Sequence, residues 1–168
     1  MFMHDFESRK RKKPIDRKTA LLKAADYCAY QERSQQEVRD KLYSYGLHHD
    51  EVEETISELI TDGYINEERF AKAYAGGKFR IKGWGRRKII QGLKQHRISE
   101  YCIKKGMLEI DPDDYFETLI KHLEKKKPLI KSDSMYILKG KLTQHVMAKG
   151  FEMDLIQEAI KHVLSKED

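Results

Sequence analysis

The sequence predicts an all-α protein of three tandem three-helix units, each helix-turn-helix-like, in an elongated, curved array. Internal repetition is the first reason. Gly46-Leu47-His48-His49-Asp50-Glu51-Val52 returns as Gly150-Phe151-Glu152-Met153-Asp154-Leu155-Ile156, 104 positions later. At that offset Val38, Leu42, Ile56, Leu59 and Ile60 meet Leu142, Val146, Ile160, Val163 and Leu164. A fainter copy, 51 positions on, pairs Val38, Leu42, Leu47, Val52 and Ile56 with Ile89, Leu93, Ile98, Ile103 and Met107. Such arrays usually present surface to macromolecules rather than a pocket to a small substrate. Composition is the second reason. With 10 Gly and 3 Pro in 168 residues, the chain suits helices better than a turn-rich sandwich.

The elements follow in order. Residues 1–15 carry Arg9-Lys10-Arg11-Lys12-Lys13 before Pro14 and read as a disordered basic arm. Unit one covers 16–65. Its first helix runs from about Asp16 to Tyr30, with Leu21, Leu22, Ala25 and Cys28 or Ala29 as the apolar stripe. Ser34-Gln35-Gln36-Glu37 is a capping box for the second helix, which turns Val38, Leu42 and Tyr45 inward and ends at Gly46. Asp50 caps a third helix whose Val52, Ile56, Leu59 and Ile60 share one face. Unit two covers 66–111. Glu67 and Glu68 open its first helix, with Phe70, Ala73, Tyr74 and Phe79 buried. Gly83-Trp84-Gly85 interrupts, Ile89 and Leu93 mark the next helix, and Ser99 caps the third, with Ile103, Met107 and Ile110. Unit three covers 112–168. Asp111-Pro112 stops the preceding helix, and the new one starts at Asp113 or Asp114 with Phe116, Leu119, Ile120 and Leu123 inward. A longer linker after Pro128 precedes helices at about 135–149 and 153–166. Each unit buries little alone, so stacking should supply much of the stability.

Catalytic chemistry is hard to find. His48-His49-Asp50 lacks further ligands at a metal spacing and reads as a cap with exposed imidazoles. Asp111-Pro112-Asp113-Asp114 lacks the Gly and distal acid of a calcium loop. Gly76-Gly77-Lys78 lacks the leading Gly and following Ser/Thr of a phosphate loop. Cys28 and Cys102 sit on apolar faces, as reduced core thiols of a cytoplasmic protein would. No run is long and apolar enough for a membrane span. The expectation is no enzyme, no cofactor, no metal and no small-molecule substrate.

Charge is segregated. Residues 67–106 carry twelve Lys/Arg against three acids, whereas 19–66 carry four against ten. A basic centre suits a polyanion or an acidic protein face. Arg86, Arg87 and Lys88 open a helix whose counterpart in unit one begins with Ser34 and Glu37. Cations there oppose the helix dipole, by about 0.3–1 kcal/mol each when exposed. They either face screening water or await an anion docked at the helix start. Trp84, two residues before them, is either a packing wedge or a base-stacking platform.

Asn66-Glu67-Glu68-Arg69-Phe70-Ala71-Lys72-Ala73-Tyr74 and Trp84-Gly85-Arg86-Arg87-Lys88-Ile89 resemble the signature of RecX, the bacterial regulator of RecA recombinase. Arg33-Ser34, Glu37-Val38 and Lys41-Leu42, with the Gly46 and Gly150 junctions, resemble its first and third units. The resemblance spans about 17–166. It implies three three-helix repeats without catalytic activity that bind the RecA–DNA filament and restrain its recombination and repair activities. Gly76-Gly77 departs from the family pattern and weakens its helix. The expected contact residues are Arg80, Lys82, Trp84, Arg86, Arg87, Lys88 and Lys94, with weak direct DNA contact as a further element. The alternative is a helix-turn-helix protein that binds duplex DNA directly, although its helices carry no paired set aimed at base edges.

Overall fold

The computed structural model describes residues 13–166, so most of the expected basic arm lies outside the described residues. Among those residues there are nine α-helices, one 3-10 turn at Lys127–Leu129 and no strand. The helices are α1 (Arg17–Tyr30), α2 (Gln35–Ser44), α3 (His49–Thr61), α4 (Glu67–Lys82), α5 (Arg86–Gln95), α6 (Glu100–Met107), α7 (Pro112–Lys126), α8 (Met135–Ala148) and α9 (Met153–Ser165). They form three three-helix repeats, grouped into two compact units, Met1–Asn66 and Glu67–Asp168.

The first unit is the α1–α3 repeat. Its core gathers Ala20, Ala24, Val38, Leu42, Val52, Ile56 and Leu59. The face of α1 differs from the expected stripe: Ala20, Ala24 and Cys28 are buried, whereas Leu22 is 62% exposed. Small side chains at i, i+4 and i+8 let α1 lie close against its neighbours. The α2 capping box forms as expected, with Glu37 N–H donating to Ser34 Oγ and Ser34 N–H to Glu37 Oε2. The α3 cap is His48, not Asp50, and Glu51 accepts from the His48 N–H at 3.2 Å. Asp50 lies in the first turn, where its charge suits the dipole. Ile60 is 42% exposed and falls outside the buried face of α3.

The second unit fuses two repeats around one core, running from Phe70 through Leu93, Leu119 and Leu142 to Val163. On α4 the buried residues are Phe70, Ala71, Ala75, Gly76 and Phe79, and Ala73 is exposed. The face is rotated because α6 approaches closely. A Cβ on Gly106 would lie 2.7 Å from the Ala71 carbonyl oxygen. Glu67 also reaches α6, accepting from the Ser99 N–H at 2.9 Å. Asp111 does not end a helix here but caps α7, accepting from the N–H groups of Asp113 and Asp114. Pro112 then occupies the first helical position, where its missing N–H costs nothing.

The joint between these two repeats is made of backbone. Gly85 N–H donates to the Lys149 carbonyl at 2.7 Å, and Arg87 N–H to the Gly150 carbonyl at 3.0 Å. Gly150 has φ +96°, and a Cβ on it would meet the Lys88 nitrogen at 2.5 Å. A Cβ on Gly85 would collide with the Gly150 carbonyl group and the Phe151 nitrogen. Glycine is required on both sides. The first repeat has a related closure at the corresponding turn. Ile15 N–H donates to the Tyr45 carbonyl at 3.1 Å, and Tyr45 stands 104 positions before Lys149. Pro14 lies over Gly46, 2.9 Å from where a Cβ would be.

Two substitutions in the second unit separate joint from helix. Gly150→Ala should lower its stability by about 3 kcal/mol or more, through strained φ and a backbone collision. Gly77→Ala, in open space within α4, should raise it by up to about 1 kcal/mol. Thermal melting of both variants checks the opposite signs.

Candidate functional site

The basic sequence 78–88 folds as the end of α4, a turn at 83–85, and the start of α5. Trp84 is half-buried against the core, and its N–H donates to the Lys78 carbonyl at 3.1 Å. Two ammonium groups sit on its indole, Lys88 Nζ at 4.4 Å and Lys78 Nζ at 4.8 Å from the ring centroid. Lys78 is also 5.3 Å from the Tyr74 ring. Neither lysine has an ion pair among the described residues. Arg87 is exposed beside them and likewise forms none. Trp84 thus serves as a packing residue that also holds two cations in place by cation–π attraction.

Arg86 goes elsewhere. Its guanidinium lies 3.8 Å from the Tyr115 ring centroid and 3.7 Å from a Glu152 carboxylate oxygen. The Arg86 backbone N–H donates to the Tyr115 hydroxyl at 3.0 Å, and that hydroxyl donates to Glu152 at 3.0–3.1 Å. The phenol therefore uses both of its hydrogen-bonding roles. Burial first, and then the Glu152 charge, push its pKa up, so it stays protonated as a donor. Of the two readings of the α5 start, the one with a docked anion meets N–H groups of Arg86 and Arg87 that already have partners within the fold. Tyr115 and Gly150 take the first-turn N–H groups, and Glu152 supplies the negative charge that offsets the cations.

The remaining expected residues divide. Arg80 folds back over Gly76, where no side chain would leave it room. Arg80 and Lys82 share a shallow groove with Asp114 and Glu117, so the charge around them is mixed. Lys94 is exposed near the opposite end of α5, where a cation suits the dipole. The structure brings Lys78 and Lys88 together on Trp84, leaves Arg87 exposed one residue before Lys88, and engages Arg86, Arg80, Lys82 and Lys94 elsewhere.

The sequence reading missed Tyr115, Glu152 and His122. Tyr115 lies four and eight residues before Leu119 and Leu123, a helical spacing that marks the buried face. Glu152 replaces His48 of the first repeat at a cap position, a visible change of charge. His122 gave no sequence signal. Its Nε2–H donates to the Gly83 carbonyl at 2.8 Å, and its ring meets Phe151 edge-on. Burial chiefly lowers its pKa, helped by Lys149 and Lys125 and opposed by the Gly83 bond.

Residues 20–59, 66–107 and 113–160 match the family models for the first, second and third three-helix domains of RecX. The chain belongs to the RecX family. It is 30% identical over 146 residues to the regulatory protein RecX of Bacillus licheniformis, covering 87% of this chain and 56% of that protein. It is 28% identical over 149 residues to that of Bacillus mycoides, covering 89% of this chain and 55% of that protein. The chain thus spans about half the length of these RecX relatives. The crystal structure of RecX from Lactobacillus salivarius superposes with TM-score 0.79 at 26% identity, covering 88% of this chain and 96% of that one. A second RecX crystal structure, 21% identical, shares the fold with TM-score 0.79 over 86% of this chain and 73% of that one. Among the described residues no group of three His, Cys, Asp or Glu could hold a metal ion, and no helix is long and apolar enough to cross a membrane.

Tyr115→Phe should cost about 1–3 kcal/mol, because it strands the Arg86 N–H and removes a bond to Glu152. A double-mutant cycle with Glu152→Gln should show coupling between the two positions.

Acidification should also weaken the second unit. Below about pH 6.5 an unfolded histidine takes up a proton that buried His122 refuses, so stability falls as pH drops toward its lowered pKa. His145, lowered in the same direction, adds to the slope. His122→Gln keeps a donor for Gly83 and should flatten the dependence of melting temperature on pH.

Proposed function

We propose that this chain is a non-enzymatic restraint on the RecA recombinase filament on DNA, acting in the cytoplasm through the basic face of its second repeat. RecX relatives are named regulatory proteins, which supports a regulatory role. The observation that supports the site is the placement of Lys78 and Lys88 on the Trp84 indole, with Arg87 exposed next to Lys88 in sequence and none of the three in an ion pair among the described residues. Fixed, unpaired cations are what an acidic or phosphate-bearing filament surface would meet. Lys94 extends the same charge along α5, and Arg80 and Lys82 contribute less, because Asp114 and Glu117 share their groove. Arg86 supports the surface from within rather than touching the partner. Direct DNA contact, in this reading, is weak and secondary to the protein filament.

The test uses substitutions that spare the joint. Lys78→Ala, Arg87→Ala and Lys94→Ala together should leave melting within about 0.5 kcal/mol of the parent. The same variant should inhibit RecA-driven strand exchange several-fold less well and show a flatter salt dependence, as fewer counterions are displaced. A stable variant that inhibits as strongly as the parent at low and high salt removes this face from the mechanism. Arg86→Ala should instead lower the melting temperature, which separates the structural cation from the exposed ones.

A further inference from the structure

The third repeat carries an addition that packs on the core only through Ile130 and Leu138. Four residues, 31–34, join α1 to α2, and three, 83–85, join α4 to α5, but eight, 127–134, join α7 to α8. Helix α8 has 14 residues, where α2 and α5 have 10 each. Ile89 and Leu93 of α5 correspond to Leu142 and Val146 of α8, and all four are fully buried. That alignment sets Arg86 against Lys139, so Met135–Leu138 is an extra first turn.

Several of the added residues are apolar and face water. Leu129 is 72% exposed, Met135 54%, Tyr136 88% and Ile137 46%. Between the connection and α8 lies a groove of about 600 Å³. Leu129 and Ile130 form one wall, and Lys126, Lys131 and Lys141 rim it. Ile137 stands one turn before Lys141 on the same side of α8. No carboxylate lines the groove, and none of these three lysines has an ion pair among the described residues. His145, also in the lining, is pushed toward its neutral form by burial first and then by Lys149 and Lys126.

We propose that this groove docks an acidic segment of a partner protein that also carries apolar side chains. Charge complementarity selects the acid, because the three rim lysines meet no carboxylate of the groove's own. The aliphatic walls select the apolar anchors, since a sugar-phosphate backbone offers nothing to bury against Leu129 and Ile130. The groove lies between the connection and α8, a cleft that suits a single segment better than a lipid surface. This site lies outside the basic face of the second repeat and stands or falls separately from it.

The probe is a fluorescein-labelled synthetic peptide with leucines at helical spacing and glutamates elsewhere, titrated with the full chain and followed by anisotropy. The parent should bind it. Lys141→Glu and Leu129→Ser, both surface changes checked by melting, should each weaken binding about tenfold. Arg87→Ala should leave it unchanged. A peptide with serine for every leucine should bind much more weakly than the original. Equal binding of that serine peptide, or indifference to both groove variants, overturns the proposal. So does displacement of the peptide by a single-stranded oligonucleotide or by phosphatidylserine vesicles whose own binding is lost in the same two variants. Concentration-dependent dimerisation in sedimentation, abolished by Leu129→Ser, would assign the groove to a second copy and overturn it equally. Loss of peptide binding with RecA inhibition intact, or the reverse, tells the two sites apart.

Discussion

In the second unit, two peptide backbones lie in direct contact where α5 begins and the α8–α9 turn passes. Gly85 and Gly150 have no side chains, and so the N–H groups of Gly85 and Arg87 can reach the carbonyls of Lys149 and Gly150. Much of the surrounding chemistry follows from that proximity. It brings the start of α5 over Tyr115, sets Glu152 beside Arg86, and lets Gly83 accept from His122. The shared core from Phe70 to Val163 is the apolar counterpart of the same closure. Hydrophobic burial supplies most of the driving force, but it is non-directional. The backbone bonds set the register in which the two repeats meet.

This joint also explains why a helix can begin with three cations. Taken alone, Arg86, Arg87 and Lys88 would oppose the α5 dipole. In the fold, one of them is neutralised by Glu152 and stacked on Tyr115, one is held on Trp84, and only Arg87 is left exposed. Part of the cationic cost is thus offset internally. The remainder is displayed at a fixed place beside a rigid aromatic ring.

The repeat pattern and most helix ends were legible because they depend on local physics. Ser34 with Glu37, Ser99, and the glycines at 46 and 150 announce caps that need only a few neighbouring residues. Buried faces were legible where large aliphatic residues recur, as on α3 and α7. They were misread on α1 and α4, where Ala20, Ala24, Ala71 and Ala75 make the contact. Close packing by small residues leaves little hydrophobic periodicity to detect. At the site, the basic run was plain, but its division into Arg86 inside and Arg87 outside was not. That division depends on Tyr115, 29 positions from Arg86, and on Glu152, a further 37 positions along the chain. No short-range pattern encodes a partner so distant.

Ile15 gives the first repeat the same backbone bond that Gly85 gives the third, and Pro14 covers Gly46 as Lys88 covers Gly150. A short extended stretch ahead of the first helix thus does for its turn what a whole preceding repeat does elsewhere. Such a plug is cheap to encode and independent of what lies before it. The turn at Gly46 is therefore closed from within its own unit, and the Tyr45 carbonyl is satisfied locally, not by a neighbouring repeat.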